Sequence, residues 1–190
     1  MWIISWAMAS SSTVEETPPF QARSSLSRSL SLVIHLLGIT SFSLSYKYLV
    51  DYPTFVNDSY GWHWQYLTVL GLAVAFATYT FGLLADITLS PAFFIIKNTL
   101  SLCSTPLEVL VSVLYWSISL VDRGLVVPPG ANIAPYADLG FHLMPALFLT
   151  VDLLLLSPPW TIKLSPAIGL SSVIAVGYWA WSEQCYRHNG

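Results

Sequence analysis

Charged residues are scarce in this chain, at 9% of its 190 residues, whereas hydrophobic residues make up 55%. A soluble domain carries about 25% charged residues, so this sequence lacks the polar side chains needed to cover a surface in water. The mean hydropathy of +0.64 points the same way. The composition therefore predicts a polytopic membrane protein.

The sequence also lacks the signatures of several site types. The net charge is −3 and no basic stripe occurs, which argues against nucleic acid as a partner. Two cysteines, Cys103 and Cys185, have no CxxC spacing, so a disulfide or a cysteine-based zinc site has little support. HExxH, GxSxG, P-loop and Rossmann patterns are missing as well. We therefore expect neither a metal ion nor a cofactor.

Five apolar segments are long enough to cross a bilayer, which takes about 20 residues. They cover approximately residues 29–50, 62–87, 102–121, 136–156 and 164–181. A stretch containing Ser, Glu and Pro precedes them, and its composition is typical of a disordered tail. The sequence thus predicts a tail over residues 1–28 and an all-α transmembrane helix bundle over residues 29–190.

His142 lies inside the fourth apolar segment. An ionisable side chain in a membrane helix is costly to bury and suggests a function, although a helix-packing hydrogen bond is the plainer alternative. Asp138 precedes it by one turn and can hold the imidazole in one tautomer. Asp152 lies about 15 Å further along the helix, too far for contact, so it would form the floor of a site or pair with a neighbouring helix.

Thr68 offers a hydroxyl at a matching depth. The second and fourth segments run in the same direction, and Thr68 and His142 each lie about six residues into their segment, roughly 9 Å below one surface. A neutral imidazole can take the proton of a threonine hydroxyl and make the oxygen nucleophilic. Thr78, Thr80 and Thr150 are comparable candidates. For any of these threonines the plainer alternative is a hydroxyl that only bonds the carbonyl four residues earlier, as many do in membrane helices.

Several short motifs follow one another in a distinctive order between residues 45 and 190. They are Trp-Gln-Tyr-Leu-Thr ending at Thr68, Gly-Leu-Leu-Ala-Asp ending at Asp86, Tyr115-Trp116, Val-Asp-Arg ending at Arg123, and Gly-Phe-His ending at His142. In this order the chain resembles the androgen-induced protein and androgen-dependent TFPI-regulating protein family. These are multi-span membrane hydrolases of fatty acid esters of hydroxy fatty acids.

The resemblance implies a Thr/His dyad, with Thr68 as nucleophile and His142 as base. It also implies a lipid substrate that enters from the bilayer, in the endoplasmic reticulum, another endomembrane or the plasma membrane. The family pattern has a glutamate where Asp152 stands and a sixth span after the fifth. Since this sequence ends at Gly190, we expect five spans here.

Two other function classes stay open on the sequence alone. One is a non-catalytic membrane scaffold or regulatory protein. The other is a pathway for a small solute or protons, lined by His35, Asp86, His142 and Asp152. A pathway predicts polar residues at every depth of the membrane, whereas a hydrolase predicts polar residues clustered near one surface.

Overall fold

The computed structural model describes residues 25–127, 132–157 and 164–190, and every regular element within these ranges is a helix. Most of the predicted tail therefore lies outside the described residues, and the chain is already helical from Ser25. The longer helices are α1 (Ser25–Asp51), α2 (Leu67–Thr88), α3 (Pro91–Val121), α4 (Pro135–His142), α5 (Met144–Val151) and α6 (Leu164–Asn189). Short 3₁₀ turns cover Phe55–Asp58, Trp62–Gln65 and Arg123–Leu125, and a π-helical segment covers Asp152–Leu156.

Three of these helices, α1, α2 and α3, are long and apolar enough to cross a membrane. The segments Pro135–His142 and Met144–Leu156, bent by 41° relative to each other, make a fourth crossing if the pair counts as one span. The prediction of an all-helical membrane bundle is confirmed. Because α6 is not among these candidate spans, the count of five spans is not confirmed and stays a prediction.

The second membrane helix begins later than the sequence analysis predicted. Trp62–Gln65 is a separate 3₁₀ turn that follows Gly61, whose φ of 87° suits glycine, and α2 starts only at Leu67. Thr68 is therefore the second residue of its helix rather than six residues inside it. The prediction that Thr68 lies six residues into its helix, on which its equal depth with His142 was based, was wrong.

Helix α3, in contrast, begins earlier than predicted. It starts at Pro91, where a proline fits the first turn of a helix because its missing N–H would be unpaired there anyway. Lys97 lies inside this helix and is buried, so its charge belongs to the interior of the bundle.

The fourth span is broken next to His142. Helix α4 ends at this residue, Leu143 leaves helical geometry, and α5 begins at Met144. Pro145 accounts for the break, since it has no N–H to donate and its ring crowds the carbonyl one turn earlier. The predicted continuous helix over 136–156 is thus two short helices and a π-helical segment, which begins at Asp152.

The bundle has apolar side chains outside and many polar ones inside. Large exposed hydrophobic residues occur on all the long helices, as expected for a surface that faces lipid tails. The apolar core is centred on Phe42, Leu72, Tyr79 and Leu149, with Tyr79 packed edge-on against Phe42. Buried polar residues form one group around His142 and one around His35, and others lie along α3.

Candidate active site

A cavity of about 210 Å³ lies beside the start of α2, between α1, α3 and α4. Thr68 and His142 both line it, so the structure brings the predicted nucleophile and base to one space. The remaining lining residues are Tyr48, Leu49, Tyr52, Thr54, Val56, His63, Tyr66, Val69, Tyr115, Val126, Asn132, Ile133 and Phe141.

The imidazole of His142 is held at one nitrogen. Its Nδ1 lies 2.9 Å from Oδ1 of Asp138 and 3.1 Å from the backbone carbonyl oxygen of the same residue. Both neighbours are acceptors, so Nδ1 carries the hydrogen and donates it. In the neutral ring the other nitrogen, Nε2, then has a free lone pair, which is what a general base requires.

Asp138 is itself held by two residues that the sequence analysis did not assign to the site. The hydroxyl of Tyr115 donates to Oδ1 at 2.5 Å, and the guanidinium of Arg123 donates to Oδ2 at 3.0 Å. Asp138 is buried, whereas Arg123 is 55% exposed. The carboxylate therefore has a positive partner on one oxygen and two hydrogen-bond donors on the other, which keeps it oriented toward His142.

The threonines of α2 differ in what their hydroxyls do. Thr78 and Thr80 each donate to the carbonyl four residues earlier, at 2.7 and 2.8 Å. Thr68, in the first turn, lines the cavity instead. Thr54 also lines it, but its hydroxyl caps the turn that follows by accepting from the Val56 N–H. Thr150 is not among the lining residues of this cavity.

A second histidine, His63, lines the same cavity, although the sequence analysis did not include it in the site. It lies on the 3₁₀ turn before α2, and its Nε2 is 3.2 Å from Oδ1 of Asn57. Burial lowers the pKa of the His63 imidazole from its ordinary value of 6.5, because the charged form loses hydration. His63 is therefore neutral at pH 7.

Asp152 lies in a different group of residues, which we call the charged cluster: His35, Asp86, Lys97 and Asp152. The two carboxylates contact opposite nitrogens of His35, with Nδ1 2.7 Å from Oδ2 of Asp86 and Nε2 3.2 Å from Oδ1 of Asp152. Lys97 forms an ion pair with Asp152. Of the two roles considered for Asp152, the structure shows pairing with neighbouring helices.

Within the described ranges, no group of three or more His, Cys, Asp or Glu side chains is arranged to hold a metal ion. The cavity lining itself includes the hydroxyls of Thr54 and Thr68 and the imidazoles of His63 and His142. A threonine hydroxyl and a neutral imidazole in one cavity provide for nucleophilic attack and proton transfer.

Comparison with known proteins shows which family the chain belongs to. Residues 30–190 match the family model described as FAR-17a/AIG1-like protein. The chain belongs to this family. It is also 36% identical, over 168 residues, to a UPF0641 membrane protein of Schizosaccharomyces pombe, an alignment that covers 87% of this chain and 75% of that protein. No solved structure matches the chain. Membership of the FAR-17a/AIG1-like family confirms the resemblance found in the sequence and agrees with an integral membrane location.

The sequence held partial signals for Tyr115, Arg123 and His63, which were not predicted as site residues. Tyr115 and Arg123 belonged to the motifs of the FAR-17a/AIG1-like resemblance, but nothing local linked them to Asp138. His63 lies directly before the motif that ends at Thr68. These motif positions were the only available signal, because the contacts join segments far apart in the chain.

Proposed function

We propose that this protein is a membrane-embedded ester hydrolase in which Thr68 is the nucleophile and His142 is the general base. The single observation that carries the proposal is the shared cavity, which is lined both by Thr68 and by the His142 imidazole, whose Nδ1 is fixed by Asp138. The substrate class suggested by the family resemblance is a fatty acid ester of a hydroxy fatty acid.

The reaction follows from the roles of the two side chains. Nε2 of His142 takes the hydroxyl proton of Thr68, and the Thr68 oxygen attacks the ester carbonyl carbon. The tetrahedral intermediate collapses, and the departing hydroxy fatty acid takes the proton from His142. The acyl group remains on Thr68. A water molecule, deprotonated by the same nitrogen, then releases the fatty acid and restores the threonine.

The position of Thr68 in the first turn of α2 favours this reaction. At the start of α2 the N–H groups of Val69 and Leu70 both donate to the Tyr66 carbonyl, and the helix dipole makes this end of the helix positive. An oxyanion formed on the substrate next to Thr68 would develop beside that positive end. We therefore infer that the positive end of this helix stabilises the tetrahedral intermediate.

The size of the cavity constrains how a lipid would bind. Pockets for drug-sized ligands measure about 300–1,000 Å³, and this cavity measures about 210 Å³. It accommodates the ester group and a short part of each chain. The rest of a long-chain substrate would then lie in the bilayer, which fits lateral entry from the membrane.

The test is hydrolysis of a fatty acid ester of a hydroxy fatty acid by the purified protein in detergent micelles. Thr68→Ala and His142→Ala should each remove the activity, whereas Thr68→Ser should retain part of it because a hydroxyl remains. Thr80→Ala is the matched control, since its hydroxyl only bonds the carbonyl of Phe76. Wild-type protein that is folded but inactive, or full activity in Thr68→Ala, would refute the proposal.

A further inference from the structure

Helix α3 has polar side chains along the whole length of its buried face. They are Lys97, Ser101, Thr105, Glu108, Ser112 and Tyr115, all of them buried. Successive members are three or four residues apart, so each is the neighbour of the next on one helix face. The helix rises about 27 Å between the first and the last, close to the thickness of about 30 Å of a bilayer's hydrocarbon core.

The two ends of this polar stripe lie in the two polar groups already described. At one end Lys97 forms an ion pair with Asp152 in the charged cluster. At the other end Tyr115 bonds Asp138, which holds His142 at the cavity. The stripe therefore joins two sets of ionisable groups that face opposite ends of the bundle.

Glu108 lies in the middle of the stripe and is 1% exposed. Its Oε1 has no hydrogen-bond partner among the residues that the structure describes. A Cβ placed on Gly71 of α2 would come within 2.5 Å of this oxygen. The carboxyl of Glu108 therefore packs directly against the backbone of α2, in space that a larger residue at position 71 would fill. An ionised carboxylate without a partner is costly to bury in a membrane protein, and such residues mark proton and ion routes.

Hydroxyl groups extend the stripe on the side of the charged cluster. The Ser101 and Thr105 hydroxyls are 3.1 Å apart, and Ser104 is 3.1 Å from the hydroxyl of Thr78 on α2. Hydroxyls both donate and accept hydrogen bonds, so they can pass a proton without keeping a charge. The close packing of α2 on Glu108 favours protons over any larger solute.

We propose that the buried face of α3 is a proton path between the charged cluster and the cavity at His142, with Glu108 as its central proton carrier. A proton that arrives from the Thr105 side binds the Glu108 carboxylate. It then leaves the carboxyl toward Ser112 and Tyr115, which restores the carboxylate. Only O–H bonds form and break, and a transfer between neighbours that lie beyond hydrogen-bond distance needs a water molecule between them. The path does not depend on the proposed hydrolysis.

The experiment uses the full chain reconstituted in phosphatidylcholine vesicles that contain a pH-sensitive dye. A potassium gradient with valinomycin sets a potential that is negative inside, and internal acidification is recorded. We expect wild-type vesicles to acidify several-fold faster than protein-free vesicles. Glu108→Gln should reduce the rate to that of protein-free vesicles. Glu183→Gln should keep the wild-type rate, since Glu183 pairs with Arg187 on the exposed part of α6.

Three further variants separate proton transfer from folding. Glu108→Asp keeps a carboxyl and should retain flux above the protein-free level, and Ser112→Ala should slow the flux while Ser112→Thr restores it. All variants are compared at equal amounts of protein with an unchanged thermal unfolding temperature. Wild-type flux no faster than protein-free vesicles, or wild-type flux in Glu108→Gln, would overturn the proposal.

Discussion

The phenol ring of Tyr115 lies flat on the imidazole of His142, with ring centroids 3.4 Å apart and an interplanar angle of 2°. Both side chains also share one hydrogen-bond acceptor, because the Tyr115 hydroxyl and Nδ1 of His142 each donate to Oδ1 of Asp138. One carboxylate oxygen and one aromatic face thus fix the direction in which the free Nε2 points.

This arrangement predicts graded effects on ester hydrolysis. Tyr115→Phe keeps the stacked ring and removes one bond to a charged acceptor, so activity should fall roughly tenfold. Asp138→Asn weakens the hold on Nδ1 and should cost about 10²–10⁴ in rate, the range of general base catalysis. Initial rates in detergent measure both effects.

Tyr79→Phe is the control for this pair. Tyr79 is fully buried, and its hydroxyl has no hydrogen-bond partner within the described part of the chain. Its removal should leave the rate near that of the wild type. Equal losses in Tyr115→Phe and Tyr79→Phe would show that the bond to Asp138 does not matter.

The charged cluster predicts a large effect on stability. Asp152 is fully buried and forms an ion pair with Lys97. Asp152→Asn leaves the ammonium group without its buried carboxylate partner, which should cost about 3–5 kcal/mol of unfolding free energy. Thermal unfolding in detergent measures the change.

The exposed pair of Lys47 and Asp51 supplies the comparison, since these side chains are 64% and 42% exposed. Asp51→Asn should change the unfolding free energy by less than about 1 kcal/mol. An Asp152→Asn protein as stable as Asp51→Asn would contradict the account of the cluster.

The sequence was sufficient to predict an all-helical membrane bundle and the contact between Asp138 and His142. Long apolar runs identify membrane helices because the hydrocarbon core excludes unpaired backbone groups. The pair Asp138 and His142 is one turn apart on one helix, so its contact is a local property. The start of α2 was misplaced because Trp62, Trp64 and Tyr66 continue the apolar run through a 3₁₀ turn.

The charged cluster could not be predicted in the same way. Its members come from four separate segments, and a single sequence holds no local signal for such contacts. Lys97 and Asp86 look like interfacial anchors because charged residues usually lie at membrane surfaces. In the structure they pair with residues of other helices, and pairing is what makes their burial possible.

A glycine next to the charged cluster gives a third prediction. A Cβ on Gly82 would lie 2.4 Å from Nε2 of His35, and this buried ring cannot move away without breaking its contacts with Asp86 and Asp152. Gly82→Ala should therefore destabilise the protein by about 1–3 kcal/mol, the usual cost of overpacking. Thermal unfolding in detergent tests this.

Gly177→Ala is the matched substitution, because a Cβ at Gly177 meets no atom within 4 Å. In an exposed helix interior, alanine is preferred over glycine by about 1 kcal/mol. Gly177→Ala should therefore be neutral or stabilising. Equal stability of the two alanine variants would mean that His35 has room to move.

His63 predicts a pH dependence of stability. Burial lowers its pKa below the ordinary 6.5, so as the pH falls below that value the unfolded chain takes up a proton that the folded protein resists. The neutral His63 ring therefore costs the folded protein no stability above pH 6.5. As the pH falls from 6.5 toward the pKa of His63 in the folded protein, the free energy of unfolding declines. His63→Gln should therefore lose less stability than the wild type between pH 7.5 and 5.5.

Unfolding temperatures of the two proteins across this pH range measure that difference. Because every other titratable group is common to both proteins, the difference between the two curves isolates His63. Parallel curves would show that the His63 pKa is the same in the folded and unfolded states.

The most direct measurement of the central claim is fluorophosphonate labelling of the purified protein in detergent, followed by mass spectrometric location of the adduct. We expect one adduct, on the Thr68 oxygen, which is strongly reduced in His142→Ala and missing in Thr68→Ala. A folded wild-type protein that does not label, or an adduct on another residue such as Thr54, would contradict it.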